Sequence, residues 1–256
     1  MRVVIKVGTS TLTHQNGNIN IGRIENLCKV ISDLKNSGLE IIFVSSGAIA
    51  MGVGKLGLNK KPQDIPSKQA CAAIGQCELM YTYDKLFQEY NHTVAQMLMT
   101  GADFENEERH TNFDNTLNRL LEFGVLPIIN ENDTIATSEI KVGDNDTLSA
   151  IIATSANADM LILLSDIDGL YTADPRKVAD ASLIPVVKEI NEEIMNLAGT
   201  AGTSRGTGGM ITKLNAAQIC MDAGIDMIIA NGSNPEVLYD IFDGKSVGTR
   251  FTRKEV

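Results

Sequence analysis

Six short apolar runs, separated by stretches of helical periodicity, constrain this 256-residue chain more than any other feature. They are Val3–Val7, Ile41–Val44, Thr93–Met99, Val125–Ile129, Met160–Leu164 and Met227–Ala230. Short runs rich in Val, Ile and Leu, without strict alternation, fit strands buried on both faces. Between them lie helix signals. Asn20 is placed to cap a helix in which Ile24, Leu27, Val30, Ile31 and Leu34 recur and which Gly38 ends. Ser67 opens a longer one to about Tyr90, Thr111–Phe123 stops at Gly124, and Asp144 or Asn145 caps a helix through Leu148, Ile151 and Ile152. Pro235–Phe242 is a closing helix. Strands alternating with helices predict an α/β fold, a three-layer αβα sandwich on a mostly parallel sheet. Residues 52–66, with Gly52, Gly54, Gly57, Pro62 and Pro66, read as a mobile loop, and Thr134–Ile140 as a short hairpin or flap. No internal repeat and no linker splits the chain firmly, so residues 1–256 read as a single domain.

The ends of these strands carry the chemistry, because ligands of open α/β sheets collect at the carboxyl edge. Val3–Val7 delivers Gly8-Thr9-Ser10 and holds Lys6, a lysine inside an apolar run whose bland alternative is an edge-strand residue facing water. The next run delivers Ser45-Ser46-Gly47-Ala48, and Val125–Ile129 delivers Asn130-Glu131-Asn132-Asp133. One of these carboxylates is able to hold an ammonium group. Lys141-Val142-Gly143-Asp144-Asn145-Asp146 follows, with Asp146 in the first turn of its helix, where the dipole favours a carboxylate. Met160–Leu164 leads into Ser165-Asp166 and a loop through Pro175 that offers backbone groups and the ring of Tyr171 to an adenine and ribose. An EF-hand spacing is absent from that loop.

Gly206-Thr207-Gly208-Gly209-Met210-Ile211-Thr212-Lys213 is a glycine-rich entry to a helix, preceded by Gly199-Thr200-Ala201-Gly202. Unpaired N–H groups and the helix dipole make such an entry a place for phosphate, and Lys213 reaches a terminal phosphate from the first turn. A flexible turn is the alternative reading. Thr212 precedes the lysine and Leu214 follows it, so this is not a Walker loop, and no dinucleotide fingerprint closes the first turn.

A formal net charge of −10 argues against a nucleic-acid partner, and no apolar run approaches a membrane span. The N-terminus enters Arg2-Val3-Val4-Ile5 without a signal segment, so a cytoplasmic enzyme is expected. Cys28, Cys71, Cys77 and Cys220 form no Cys-x-x-Cys pair and read as reduced thiols. His14, His92 and His110 are scattered, which gives a histidine metal site or a Ser-His-Asp relay little support, and no direct metal ligand is assigned. Lys6 and Lys213, from different halves, are placed to flank a migrating phosphoryl group with Asp146 holding them in register. A hydroxyl acceptor wants a general base; a side-chain carboxylate, with a pKa of about 4.3 for glutamate, is already ionised at neutral pH.

Lys6-Val7-Gly8-Thr9-Ser10, Ser45–Ile49, Asn130–Asp133, Lys141–Asp146, Gly169–Pro175 and Gly206–Lys213 together resemble, in order and over nearly the whole chain, the amino-acid kinase family. The match is to its glutamate-phosphorylating members. The resemblance implies the αβα sandwich, ATP and Mg2+, and γ-phosphorylation of L-glutamate as the first step towards proline. It also implies feedback inhibition by proline, a homo-oligomer, and a possible glutamyl-phosphate reductase as partner. Carried over by motif, Ser46, Asp133 and Asn145 bind glutamate. Lys6, Ser165, Asp166, Thr207, Gly208, Gly209, Met210, Ile211, Thr212 and Lys213 bind ATP, with Lys6, Lys213 and Asp146 closest to the transfer. About 1–155 is then the acceptor half and about 156–256 the nucleotide half. Ser165 stands where many relatives have threonine, and the C-terminal PUA domain of many members is expected to be missing. Kinases of acetylglutamate, aspartate, carbamate or UMP are the nearest alternatives, and a non-catalytic amino-acid or nucleotide sensor a more distant one.

Overall fold

The structure is a computed structural model that describes residues 1–14, 18–135, 145–200 and 209–252. In chain order, β1 (Arg2–Val7) leads through α1 (Thr9–Leu12) and α2 (Ile21–Asn36) to β2 (Glu40–Val44). Helices α3 (Ala48–Lys55) and α4 (Ile65–Gln88) precede β3 (Val94–Met99), and α5 (Gly101–Glu105) and α6 (Glu107–Glu122) precede β4 (Leu126–Glu131). Next come α7 (Asn145–Ser155), β5 (Met160–Ser165), β6 (Val186–Val187), α8 (Glu192–Thr200) and α9 (Met210–Asp222). The chain finishes with β7 (Asp226–Asn231), α10 (Val237–Phe242) and β8 (Thr249–Phe251).

The strands form one sheet in the order β3-β4-β2-β1-β5-β7-β8-β6. Every pairing is parallel except β7 with β8. The order turns outward from β1 in one direction and from β5 in the other, so a switch point lies between them, where open α/β sheets form their crevice. β1 is central, with Lys6 opposite Val44 of β2 and Leu163 of β5. Successive side chains of a strand face opposite ways. Val3, Ile5 and Val7 therefore join the layer built on Leu27, Ile31, Leu79 and Tyr83 from α2 and α4. Val4 joins the opposite layer with Leu148, Ile152, Leu214 and Ala217 from α7 and α9. Lys6 shares the parity of Val4, and this parity aims it at α7 and α9. The water-facing alternative for Lys6 fails because the residue is only 8% exposed.

Local chemistry accounts for the helix starts. The Asn20 side chain accepts from the Arg23 N–H, Asp64 from Ser67, and Asn106 from Arg109, and Thr100 with Asp103 makes a reciprocal capping box. Each such cap is worth about 1 kcal/mol. The expected loop over 52–66 is corrected at both ends and holds between α3 and α4, from 56 to 64. Gly52 and Gly54 lie inside α3, and α4 begins at Ile65 with Pro66 in its first turn. The glycines there serve contact between helices: a Cβ on Gly52 would sit 1.9 Å from the Cys71 carbonyl oxygen, and one on Gly75 would sit 1.8 Å from that of Ala48. Asn130 and Glu131 belong to β4 itself. β6, α5, α8 and β8 have no counterpart in the sequence reading. The expected flap at Thr134–Ile140 lies mostly outside the described residues. Met97 and Met99 are core residues, and all four cysteines are free thiols, Cys77 the exposed one. Among the described residues no helix is long and apolar enough to cross a membrane.

Candidate active site

At the switch point, the carboxylate of Asp146 is shared by two lysines. Lys6 Nζ lies 2.6 Å from Oδ1 and Lys213 Nζ lies 2.8 Å from Oδ2. The three side chains come from three elements, the end of β1, the first turn of α7 and the first turn of α9. All are buried, Asp146 at 1% exposure. Burial alone pushes the Asp146 carboxyl up, but Lys6 and Lys213 outweigh it and hold the group well below the usual carboxylate range. The Thr212 hydroxyl lies 3.1 Å from Oδ2 and 2.8 Å from the Gly209 carbonyl oxygen, which ties the α9 entry to the same carboxylate. Two cations on one anion leave a surplus positive charge in the interior. Buried charge is costly unless compensated, so the described triad has the charge arrangement that suits an incoming anion.

On one side of the triad, Asn145 precedes Asp146 and turns its amide nitrogen towards three oxygens. These are the Ser45 carbonyl at 2.7 Å, Ser46 Oγ at 2.8 Å and Asn130 Oδ1 at 2.9 Å. An amide nitrogen carries two hydrogens, so the three acceptors compete and Ser46 Oγ is the one with freedom to rotate. The chain continues inward: Asn130 Nδ2 donates to Gln76 Oε1 of α4 at 2.9 Å, and Ser45 Oγ is 2.8 Å from the Tyr83 hydroxyl. Gly47, at φ 100°, begins α3 with no side chain capping its first turn. Asp133, half-buried beyond the end of β4, has its carboxyl pushed up by burial, with Lys61 pulling it part of the way back.

On the other side lies a cavity of about 240 Å³. Its walls are the loop from Ser165 to Arg176, Leu197 of α8, and Gly209, Met210 and Lys213 at the α9 entry. Ser165, at the end of β5, donates to Asp166 Oδ1 at 3.3 Å. Among the described residues no side chain caps the first turn of α9, whose leading N–H groups stand beside the cavity. Asp168 accepts from Asn231 Nδ2 at 2.8 Å and from the Tyr171 hydroxyl at 2.7 Å, and these two bonds hold its carboxyl below the ordinary value. Asp174 is gripped by Arg176 through Nε at 2.9 Å and Nη2 at 3.1 Å.

The structure thus brings together Lys6, Asp146 and Lys213, gathers Asn145 and Ser46, and places Ser165, Asp166, Gly209, Met210 and Lys213 around one cavity. Ile211 is exposed and is not part of that lining. Thr212 faces Asp146. Thr207 and Gly208, with Lys141 and Asp144, lie outside the described residues. Gln76 was missed by the sequence reading, and Asn130, though placed at the ligand edge with Glu131, Asn132 and Asp133, was given no role of its own. The signal for Gln76 was present in α4, where it occupies a place in the apolar stripe of Ala72, Leu79 and Tyr83.

Residues 1–231 match the model of the amino acid kinase family. The glutamate 5-kinase of Clostridium perfringens is 56% identical, over 99% of this chain and 96% of its own length. That of Clostridium tetani is 55% identical over 97% and 93%, and that of Caldanaerobacter subterraneus 53% over 98% and 68%. Among solved structures, carbamate kinase from Giardia lamblia bound to AMP-PNP superposes with a TM-score of 0.68 over 99% of this chain and 98% of that one. At 19% identity this likeness concerns the fold alone. An αβα sheet with its switch point at β1 and β5, a family match over most of the length and relatives above half identity agree: this chain belongs to the amino acid kinase family.

Proposed function

We propose that the chain transfers the γ-phosphoryl group of ATP to the γ-carboxylate of L-glutamate, giving L-glutamyl 5-phosphate and ADP, the first step of proline biosynthesis. The observation that carries this reading is the buried triad of Lys6, Asp146 and Lys213, standing between an amide-lined acceptor side and a cavity at a helix entry. Relatives named glutamate 5-kinase, above half identity over nearly the whole chain, support the choice of acceptor.

In this reading the cavity takes the nucleotide, with its phosphates directed to the N–H groups at the start of α9. Lys213 and Lys6 meet the migrating phosphoryl group, and Asp146 holds both ammonium groups in place before the substrate arrives. Phosphoryl transfer asks for positioning and charge neutralisation, and a preorganised cation pair supplies both. Ser46 and Asn145 orient the acceptor. Asp133, a carboxylate short of compensation, pairs with the α-ammonium group of free glutamate. No general base is required, because the acceptor carboxylate is already ionised.

Both Asp146 oxygens are engaged by lysines, and among the described residues no group of three or more His, Cys, Asp or Glu side chains is placed to hold a metal. These residues suit a Mg2+ ion that arrives on the nucleotide and keeps phosphate and water as its ligands. When bound, it would neutralise charge on the phosphate oxygens. The proposal further includes inhibition by proline, a homo-oligomer, and delivery of the product to a reductase. The test is ATP consumption against glutamate, acetylglutamate, aspartate, carbamate and UMP, with hydroxylamine to trap acyl phosphate. Turnover and trapping with glutamate are the expected result. Activity confined to another acceptor would overturn the assignment, and binding of both ligands without trapped product would make the chain a sensor.

A further inference from the structure

The last strand, β8, lies beyond residues 1–231, the stretch that matches the family, yet it reaches the wall of the nucleotide cavity. Its first residue, Thr249, is fully buried. The Thr249 hydroxyl accepts from the Leu170 N–H at 2.8 Å and donates to the Ile184 carbonyl oxygen at 2.6 Å. Those two segments are also joined directly, Ile184 N–H donating to the Leu170 carbonyl oxygen at 2.8 Å. A single hydroxyl thus fastens two loop segments to the sheet. Glycines press on both sides of this point. A Cβ on Gly169 would sit 2.4 Å from Thr249 Oγ1, and one on Gly248, whose φ is 68°, would sit 2.0 Å from the Ile229 carbonyl oxygen. Gly169, Leu170 and Tyr171 are cavity walls, whereas Thr249 is not.

We propose that Thr249 is a positioning residue for the nucleotide, setting the backbone of Gly169–Tyr171 at its working distance from the α9 entry. The inference rests on the reading of this cavity as the nucleotide site. A threonine hydroxyl suits the place because it donates and accepts at once within the space a glycine neighbour leaves. Without it, a buried N–H and a partly buried carbonyl oxygen lose their partner, and interior backbone groups rarely stay unpaired. The loop must then shift to find other partners, and the cavity changes shape with it. The acceptor side, built on β2, β4 and α7, shares none of these bonds.

The test is steady-state kinetics of the full chain, with KM measured separately for ATP and glutamate. Thr249→Val is near in size and removes only the hydroxyl. It should raise KM for ATP about fivefold or more, with KM for glutamate within about twofold. Thr249→Ser, which keeps Oγ, should recover most of the loss. Gly169→Ala attacks the same contact from the loop side and should give the same split, so it stands in if Thr249→Val does not fold. Ala173→Trp, which fills the cavity directly, separates the two readings. If it leaves KM for ATP unmoved, the cavity is not the nucleotide site and the inference falls with it. If it raises KM for ATP while Thr249→Val changes neither constant, or both equally, the nucleotide reading stands and the role of Thr249 is overturned.

Discussion

Asp146 sits where burial and charge oppose each other, and the outcome sets what the neighbouring lysines do. Were it neutral, two ammonium groups would face each other in the interior; ionised, it holds both. Lys6→Ala and Lys213→Ala should each lower kcat by at least about a hundredfold while KM for glutamate changes far less, because the proposed contact strengthens only as charge migrates. A variant that lost affinity but kept its turnover number would remove that lysine from the transfer. The Asp146 carboxyl is held below its ordinary value when folded, so the unfolded chain binds its proton more tightly. Its stabilisation is therefore complete above the unfolded value of about 3.9 and declines as pH falls from there through the folded value. The Tm advantage of the native chain over Asp146→Asn should stay level from about pH 7 to pH 5 and shrink below about pH 4; a decline beginning near neutrality would contradict the assigned charge. Asp133 runs the other way. Burial raises its carboxyl, so its ionisation on folding costs stability at neutral pH. Asp133→Asn should raise Tm at about pH 7, lose that gain below about pH 4, and raise KM for glutamate. An unchanged KM would take Asp133 out of the acceptor pocket.

Helices α3 and α4 meet so closely that glycine is the side chain both positions accept. The contact bears on the proposed acceptor side because Gly47, directly after Ser46, is the cap from which α3 starts, and α4 carries Gln76, which bonds Asn130 and through it Asn145. Gly75→Ala should force the two helices apart. A reduction in Tm of about 5 °C or more is expected for overpacking of this severity, with KM for glutamate rising more than KM for ATP. Equal movement of both constants would show that the contact matters to stability alone. This pair also shows where the sequence was hard to read. Gly52 and Gly54 carry the same letters as turn glycines, and only the approach of Cys71 from a helix further along the chain decides that Gly52 is a packing residue. β8 escaped for a similar reason. Three residues have too little periodicity to announce a strand, and β8 is held by β7 and β6 from elsewhere in the chain. The long buried strands and the capped helices were legible because their signals are local: an unbroken apolar run, an Asn before a helix, a glycine after it.

Across the whole molecule the sheet divides at β1 and β5, with β3, β4, β2 and β1 on one flank and β5, β7, β8 and β6 on the other. The letters of the proposed transfer site were readable because each stands at a strand end or helix entry, where local sequence announces position. The amide chain was not, because Gln76, Asn130 and Asn145 come from α4, β4 and α7, far apart in the chain, and only their side-chain hydrogen bonds join them. In the proposed function the two flanks take different ligands, and only the triad belongs to both: Lys6 and Asp146 come from the first flank and Lys213 from the second. Hydrogen exchange resolves this arrangement, since a ligand slows opening chiefly in the segments it contacts. A non-hydrolysable ATP analogue should protect Ser165–Arg176 and the first turn of α9, and leave Ser45–Met51 and Leu126–Asp133 near their unliganded rates. Glutamate should do the reverse. Both ligands together should protect the first turn of α7 beyond the sum of the separate effects, because Asp146 is held there by a lysine from each flank. Glutamate protection that falls on the second flank, or nucleotide protection on the first, would dissolve the division of labour while leaving the fold untouched.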